Sequence, residues 1–140
     1  MAIGGKQFVL DYDNGFPCLR IDITICSPDP KNKEKHLFKN VLIDTGSDVT
    51  IIPNHVIKEL ALIYTGFRNV ENFNGEEVRV NFYAAKIIII GIVEEIIEVG
   101  GIDSEPLIGM DLICNFHLLL NAPFGTFEIA NRSNYILPLP

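Results

Sequence analysis

Val41-Leu42-Ile43 runs directly into Asp44-Thr45-Gly46-Ser47, and no other stretch constrains the fold of this chain as strongly. A short apolar run bounded by turn-forming residues predicts a buried strand. Gly46, two residues after the acid, lacks the Cβ that would resist a sharp turn. The pattern places a carboxylate on a rigid loop at the end of a core strand, where an unpaired charge is costly.

Strand signals dominate the rest of the chain. Gln7 to Tyr12 predicts a first strand, with Asp13-Asn14-Gly15 as its turn. From Cys18 to Cys26, Leu19, Ile21, Ile23 and Ile25 alternate with Arg20, Asp22 and Thr24, the period of a half-buried strand. Ser27 to Lys35 is the connecting loop. Phe38 to Ile43 leads into the Asp44 turn, and Val49 to Ile52 leaves it as another apolar strand. Pro53 suits the first turn of a helix, and Val56, Ile57, Leu60 and Ala61 share one face, so Pro53 to Leu62 predicts a short amphipathic helix.

Asn74-Gly75 marks a hairpin over Val70 to Tyr83, whose tip, Phe73-Asn74-Gly75-Glu76, is expected to project and move. A second strand pair follows at Ala85 to Ile92 and Ile96 to Val99, with Ile87 to Ile92 expected as a central strand buried on both faces. Gly109 ends the apolar strand around Leu107-Ile108, and Met110 to Phe116 predicts one or two helical turns. Leu118 to Asn121 and Thr126 to Ala130 form a closing hairpin around Pro123 and Gly125, and Asn134 to Pro140 reads as a tail or an arm reaching a partner. No repeat or linker interrupts this order, so residues 1–140 are expected to form a single domain.

Composition narrows the function classes. A net charge of −7 and a pI near 4.8 argue against nucleic acid or an anionic membrane surface as partner. The lysines at 31, 33, 35 and 39 are interspersed with acids and read as a solvated loop. Cys18, Cys26 and Cys114 are odd in number and lack metal-ligand spacing, which favours a reducing cytoplasm over a disulfide framework. His36, His55 and His117 are scattered, so no metal site is expected. Met1 to Asp11 has no apolar segment of signal-peptide type, and the longest apolar run, Ile87 to Val93, is far short of a membrane span.

Asp44-Thr45-Gly46-Ser47 after an apolar strand resembles the active-site motif of aspartic proteases. Because the motif occurs once, the resemblance is to the dimeric, retroviral-type branch, the retropepsins. It extends from about Cys18 to Ala130 in the order of elements. Two further features carry it: a hairpin with a Gly-containing tip, similar to the family's substrate-covering flap, and Leu107-Ile108-Gly109, similar to the apolar-apolar-Gly element that precedes a short helix beside the catalytic loop.

The resemblance implies a mainly β fold: a closed acid-protease barrel with a flap hairpin and one or two short helices, one lobe per chain. It implies that Asp44 is the catalytic acid or base and binds the attacking water, that Thr45 hydrogen-bonds across a dimer, and that the Gly46 carbonyl takes a substrate N–H. Ser47 is the version found in pepsins and many cellular and bacterial relatives, and its hydroxyl is expected to donate to Asp44 and favour the charged form. Asp48 falls where retropepsins use an acid near the substrate backbone or the dimer contact. Phe73, Asn74, Gly75 and Glu76 would cover the substrate. There is one departure. Retroviral members commonly carry Arg after the Gly of the third motif, paired with the acid after the catalytic loop, whereas here Met110 and Asp111 follow Gly109.

Hydrolysis by paired carboxylates needs two acids sharing one proton, because like charges so close cannot both ionise. Gly101-Ile102-Asp103-Ser104-Glu105 is the nearest second loop, but it lacks the apolar lead-in and the following Gly. A catalytic reading therefore requires a homodimer with one Asp44 from each subunit at a two-fold axis. The expected substrate is an extended protein or peptide segment, and no cofactor is required. The alternatives are a catalytically quiet module of the same fold, used for dimerisation or peptide binding, and a monomeric β domain in which Asp44 is only a turn acid.

Overall fold

The computed structural model describes residues 5–72 and 74–134. Its strands are β1 (Lys6–Val9), β2 (Asp11–Asp13), β3 (Phe16–Cys18), β4 (Arg20–Cys26), β5 (Lys35–Ile43), β6 (Ile51–Pro53), β7 (Ile63–Glu71), β8 (Glu77–Ile89), β9 (Val93–Ile102), β10 (Leu107–Ile108), β11 (Phe116–Asn121) and β12 (Thr126–Asn131). Two short helices, α1 (Asn54–Glu59) and α2 (Met110–Ile113), interrupt them, so the fold is mainly β.

Seven strands make one sheet in the order β4-β5-β10-β6-β9-β8-β7, and β4 also pairs with the far end of β8, which bends the sheet into a ring. Most neighbours are antiparallel, but β10 runs parallel to β5 and β6 runs parallel to β9. These parallel pairs place the loop after β5 beside the start of α2. A second sheet, β1-β12-β11, packs its Phe127 and Ile129 into the same core, with the Phe8 ring stacked on Phe127 at 5.2 Å.

Alternation explains which side chains fill the ring. Ile21, Ile23 and Ile25 of β4 are buried while Asp22 between them is exposed. They join Val41, Ile43, Ile52, Val99 and Ile108 in the main core, which α1 closes with Val56 and Ile57 and the residue that caps it, Leu60. Strand β8 changes the side it buries partway along. Its second half sends Ala85, Ile87 and Ile89 into the main core, whereas its first half buries Val80 and Phe82, of opposite parity and outside that core. The β8–β9 register is continuous across the change, so it is not produced by a bulge.

Several expectations are corrected. Ile87 to Ile92 is not a strand buried on both faces: β8 ends at Ile89, Ile90 is 72% exposed, and the chain turns at Gly91 with φ of 77° into β9. The flanking Glu residues and Gly91 carry more weight here than the run of isoleucines. The hairpin predicted over Val70 to Tyr83 begins at Ile63 and ends at Ile89. Helix α1 is shorter than Pro53 to Leu62. Pro53 is the extended residue before it (ψ 138°), and Ala61, with φ of 50°, leaves the helical conformation. The strand expected over Val49 to Ile52 is confined to Ile51–Pro53, because Thr50 is held by other bonds. The Asn14-Gly15 turn is as expected: both residues have positive φ, and Asp13 pairs with Phe16 across a two-residue loop. Residues 135–140, read as a tail or arm, lie outside the described residues.

Candidate active site

Asp44 follows β5 directly. Its N–H donates to the Ile108 carbonyl at 2.9 Å, continuing the parallel pairing in which Leu107 faces Leu42 and Ile108 faces Ile43. Ile43 and Ile108 are both in the core beneath it. The carboxylate is thus carried on a backbone anchored from below, and Asp44 itself is only partly buried. Its Oδ1 accepts the Gly46 N–H at 2.9 Å, and its carbonyl accepts the Ser47 N–H at 3.2 Å, so Asp44-Thr45-Gly46-Ser47 is a closed turn.

Gly46 serves this turn differently from the expectation. It does not need a left-handed conformation; a Cβ there would stand 3.2 Å from Asp44 Oδ1, so its smallness lets the carboxylate lie against the backbone. Thr45 and Gly46 are exposed at the tip. Ser47 also differs: its hydroxyl donates to the Val49 carbonyl at 2.8 Å rather than to Asp44. Asp48 is exposed, and its carbonyl accepts the Asp111 N–H at 3.2 Å.

The other end of the loop is tied to α2. The Met110 N–H donates to the Ser47 carbonyl at 2.7 Å. Thr50, fully buried, donates its N–H to Asp111 Oδ2 at 3.0 Å and its hydroxyl to Asp111 Oδ1 at 2.6 Å, while the hydroxyl accepts the Gly109 N–H at 3.1 Å. Neither Thr50 nor Asp111 was singled out as a site residue by the sequence reading, in which Met110 stands at the place of the family's Arg and Asp111 is only the residue that follows it. The available signal was an acid in the first turn of a helix beside the motif, a position the helix dipole favours.

The registers align Leu42, Leu107, Ile51, Gly100 and Phe82 in one row across β5, β10, β6, β9 and β8. Paired residues share a face of the sheet, and this face is opposite to the main core. By the same period Asp44, two residues after Leu42, continues onto this side. A Cβ on Gly100 would meet Ile51 and Val80 at 3.1 Å, so the apolar side chains close together over it. Arg68 of β7 crosses the Phe82 ring at 4.2 Å and pairs with Glu98 at 2.5 Å. Ile51, Val80 and Phe82 are themselves buried, so this side of the sheet carries a second packed apolar cluster, overlaid by the Arg68–Glu98 pair.

Among the expected substrate-covering residues, Asn74, Gly75 and Glu76 sit at the tip between β7 and β8, and Phe73 lies outside the described residues. The tip is built on Asn72, whose side-chain oxygen accepts the N–H groups of Asn74 and Glu76, each at 3.0 Å. Among the described residues no hydrogen bond or ion pair joins this tip to Asp44–Asp48. Nor does any group of three or more His, Cys, Asp or Glu among them form a site able to hold a metal. No helix of the described residues is long and apolar enough to cross a membrane. No protein-family model matches the chain, and a search of curated proteins finds no match to it.

Proposed function

We propose that the chain is a retropepsin-like aspartic endopeptidase that acts as a homodimer. The observation that carries this reading is the Asp44 carboxylate: it stands at the end of a core strand, anchored through its backbone to β10 and partly open to solvent. One such acid cannot divide acid and base duties, and the second comes from an identical subunit across a two-fold axis.

In this mechanism the two Asp44 carboxylates hold a water and share one proton. The charged carboxylate takes a proton from the water as its oxygen attacks the scissile carbonyl carbon, and the protonated one gives its proton to the carbonyl oxygen. Collapse of the tetrahedral intermediate breaks the C–N bond as a proton passes to the leaving nitrogen. Thr45, exposed at the loop tip, would brace the two loops, and the Gly46 carbonyl would receive a substrate N–H. The half-buried Leu42 and Leu107, paired on this side of the sheet, would face apolar substrate side chains, and the β7–β8 hairpin would act as flap. Each subunit would be one lobe of the acid-protease barrel. The three unpaired thiols suit a cytoplasmic setting.

An unbiased peptide library, digested from acid to neutral pH at several protein concentrations and read by mass spectrometry, tests this reading. Cleavage that disappears in Asp44→Asn and falls steeply on dilution is the expected result. A wild-type protein that is dimeric by sedimentation and cuts nothing in the library would instead mark the chain as a binding module.

A further inference from the structure

The bonding directions between Thr50 and Asp111 call for a carboxylate rather than an amide at position 111. The Gly109 N–H can only donate, so the Thr50 oxygen accepts there and its proton points at Asp111 Oδ1, while Oδ2 accepts the Thr50 N–H. Both oxygens of residue 111 must therefore accept. An amide has one accepting oxygen, and its NH2 would face either a backbone N–H or a hydroxyl whose own proton had lost its acceptor. Asp111 is held in turn through its main chain, by its N–H on the Asp48 carbonyl and by Asn115 Nδ2 on its own carbonyl at 3.0 Å.

Both ends of the Asp44 loop are thus tied to one short segment. Asp44 is bonded to Ile108 at its start, and Thr50 to Gly109 and Asp111 at its end. We infer that Asp111, acting through Thr50, is a positioning residue that sets where the Asp44 carboxylate stands and so, in the dimer, how far apart the two carboxylates are held. This rests on the protease reading above. Two-fold symmetry repeats any displacement of one loop in the other, so a small error in one subunit is felt twice at the axis.

The test compares Thr50→Val, which keeps shape and charge but loses the hydroxyl, with Thr50→Ser, which keeps it, and with Asp111→Asn. Steady-state kinetics and full pH profiles are measured on a peptide that the wild type cleaves. Thr50→Val and Asp111→Asn are expected to lower kcat by about 10- to 100-fold with KM within about twofold, the scale of loss from a misplacement of about 1 Å. Thr50→Ser is expected to retain wild-type behaviour. In Thr50→Val the bell of the pH profile narrows, because carboxylates held less closely couple less strongly. A merely structural role reduces the folded fraction, which scales the profile without changing its width. A Thr50→Val profile that is only scaled overturns the inference. Absence of cleavage by the wild type removes the protease reading itself, and amide hydrogen exchange then decides the clamp. Faster exchange at Asp44, Ser47 and Met110 in Thr50→Val than in Thr50→Ser supports it, and equal exchange overturns it.

Discussion

Gly109 and Val49 approach so closely that a Cβ on Gly109 would stand 2.4 Å from the Val49 carbonyl oxygen and 2.9 Å from that of Ser47. Those atoms are backbone, and the Asp44 loop cannot retreat without breaking its bonds to α2. Gly109→Ala is expected to cost about 3 kcal/mol or more, at the upper end of what overpacking does. Denaturant unfolding measures this, and a loss below about 1 kcal/mol would mean that the loop lies less tightly on α2 than described.

Arg68 covers Phe82 on the face that carries Asp44 and pairs with Glu98, and both charged side chains are about half exposed (54% and 48%). An exposed ion pair with a cation–π contact contributes little, so Arg68→Ala is expected to lose at most about 1 kcal/mol of stability. If the chain cleaves peptides as proposed, uncovering the buried Phe82 ring opens an apolar surface, and the cleavage profile on a peptide library should shift toward larger apolar side chains. An unchanged profile would place Arg68 away from the substrate.

Asn72 organises the β7–β8 tip with one side-chain oxygen, which accepts two backbone N–H groups. Asn72→Ala leaves both unpaired in an exposed loop, where water replaces the partner, so the global unfolding free energy should change by less than about 1 kcal/mol. Hydrogen exchange at the Asn74 and Glu76 amides should nevertheless accelerate several-fold. Protection equal to wild type would show that the turn stands without this side chain.

The hydrogen bond from Arg20 holds the Asp13 carboxyl below the ordinary carboxylate range, with the guanidinium charge acting in the same direction. A carboxyl depressed on folding contributes stability that is fully present above its unfolded pKa and is lost as pH falls through the lower, folded value. Folding at neutral pH therefore retains this contribution, and acid removes it. An NMR titration of Asp13 should show its midpoint rise toward the ordinary range in Arg20→Gln. An unmoved midpoint would mean that the pair does not persist in solution.

Much of the architecture was legible because it is written in local pattern. The alternation of Ile21, Ile23 and Ile25 reports one buried face, and Asn14-Gly15 reports a two-residue turn because both residues tolerate positive φ. The apolar run into Asp44 likewise placed the acid just past a core strand. Most of β7, from Ile63 to Asn69, was missed. Its side chains are mostly exposed, and Gly66 and the register shift near Thr65 break the two-residue period. Ile90 misled for the opposite reason: an apolar residue in an apolar run still occupies a turn when Gly91 and two glutamates follow.

The site itself was half visible. Asp44 and its neighbours form one turn, which consecutive residues specify through their own backbone. The hydroxyl of Ser47 went elsewhere, because the Val49 carbonyl lies within its reach in the folded loop.

The sequence by itself determined the β period, the turns made by glycine, asparagine and proline, and the delivery of one carboxylate at the end of a buried strand. Each of these follows from covalent neighbours and from the conformations a residue allows. Only the tertiary structure decided that β8 buries opposite sides in its two halves and that Asp111 receives both donors of Thr50, 61 positions away. Those outcomes depend on which strands come to lie side by side. A buried hydroxyl or carboxylate takes the partner that the assembled sheet presents, wherever that partner sits along the chain.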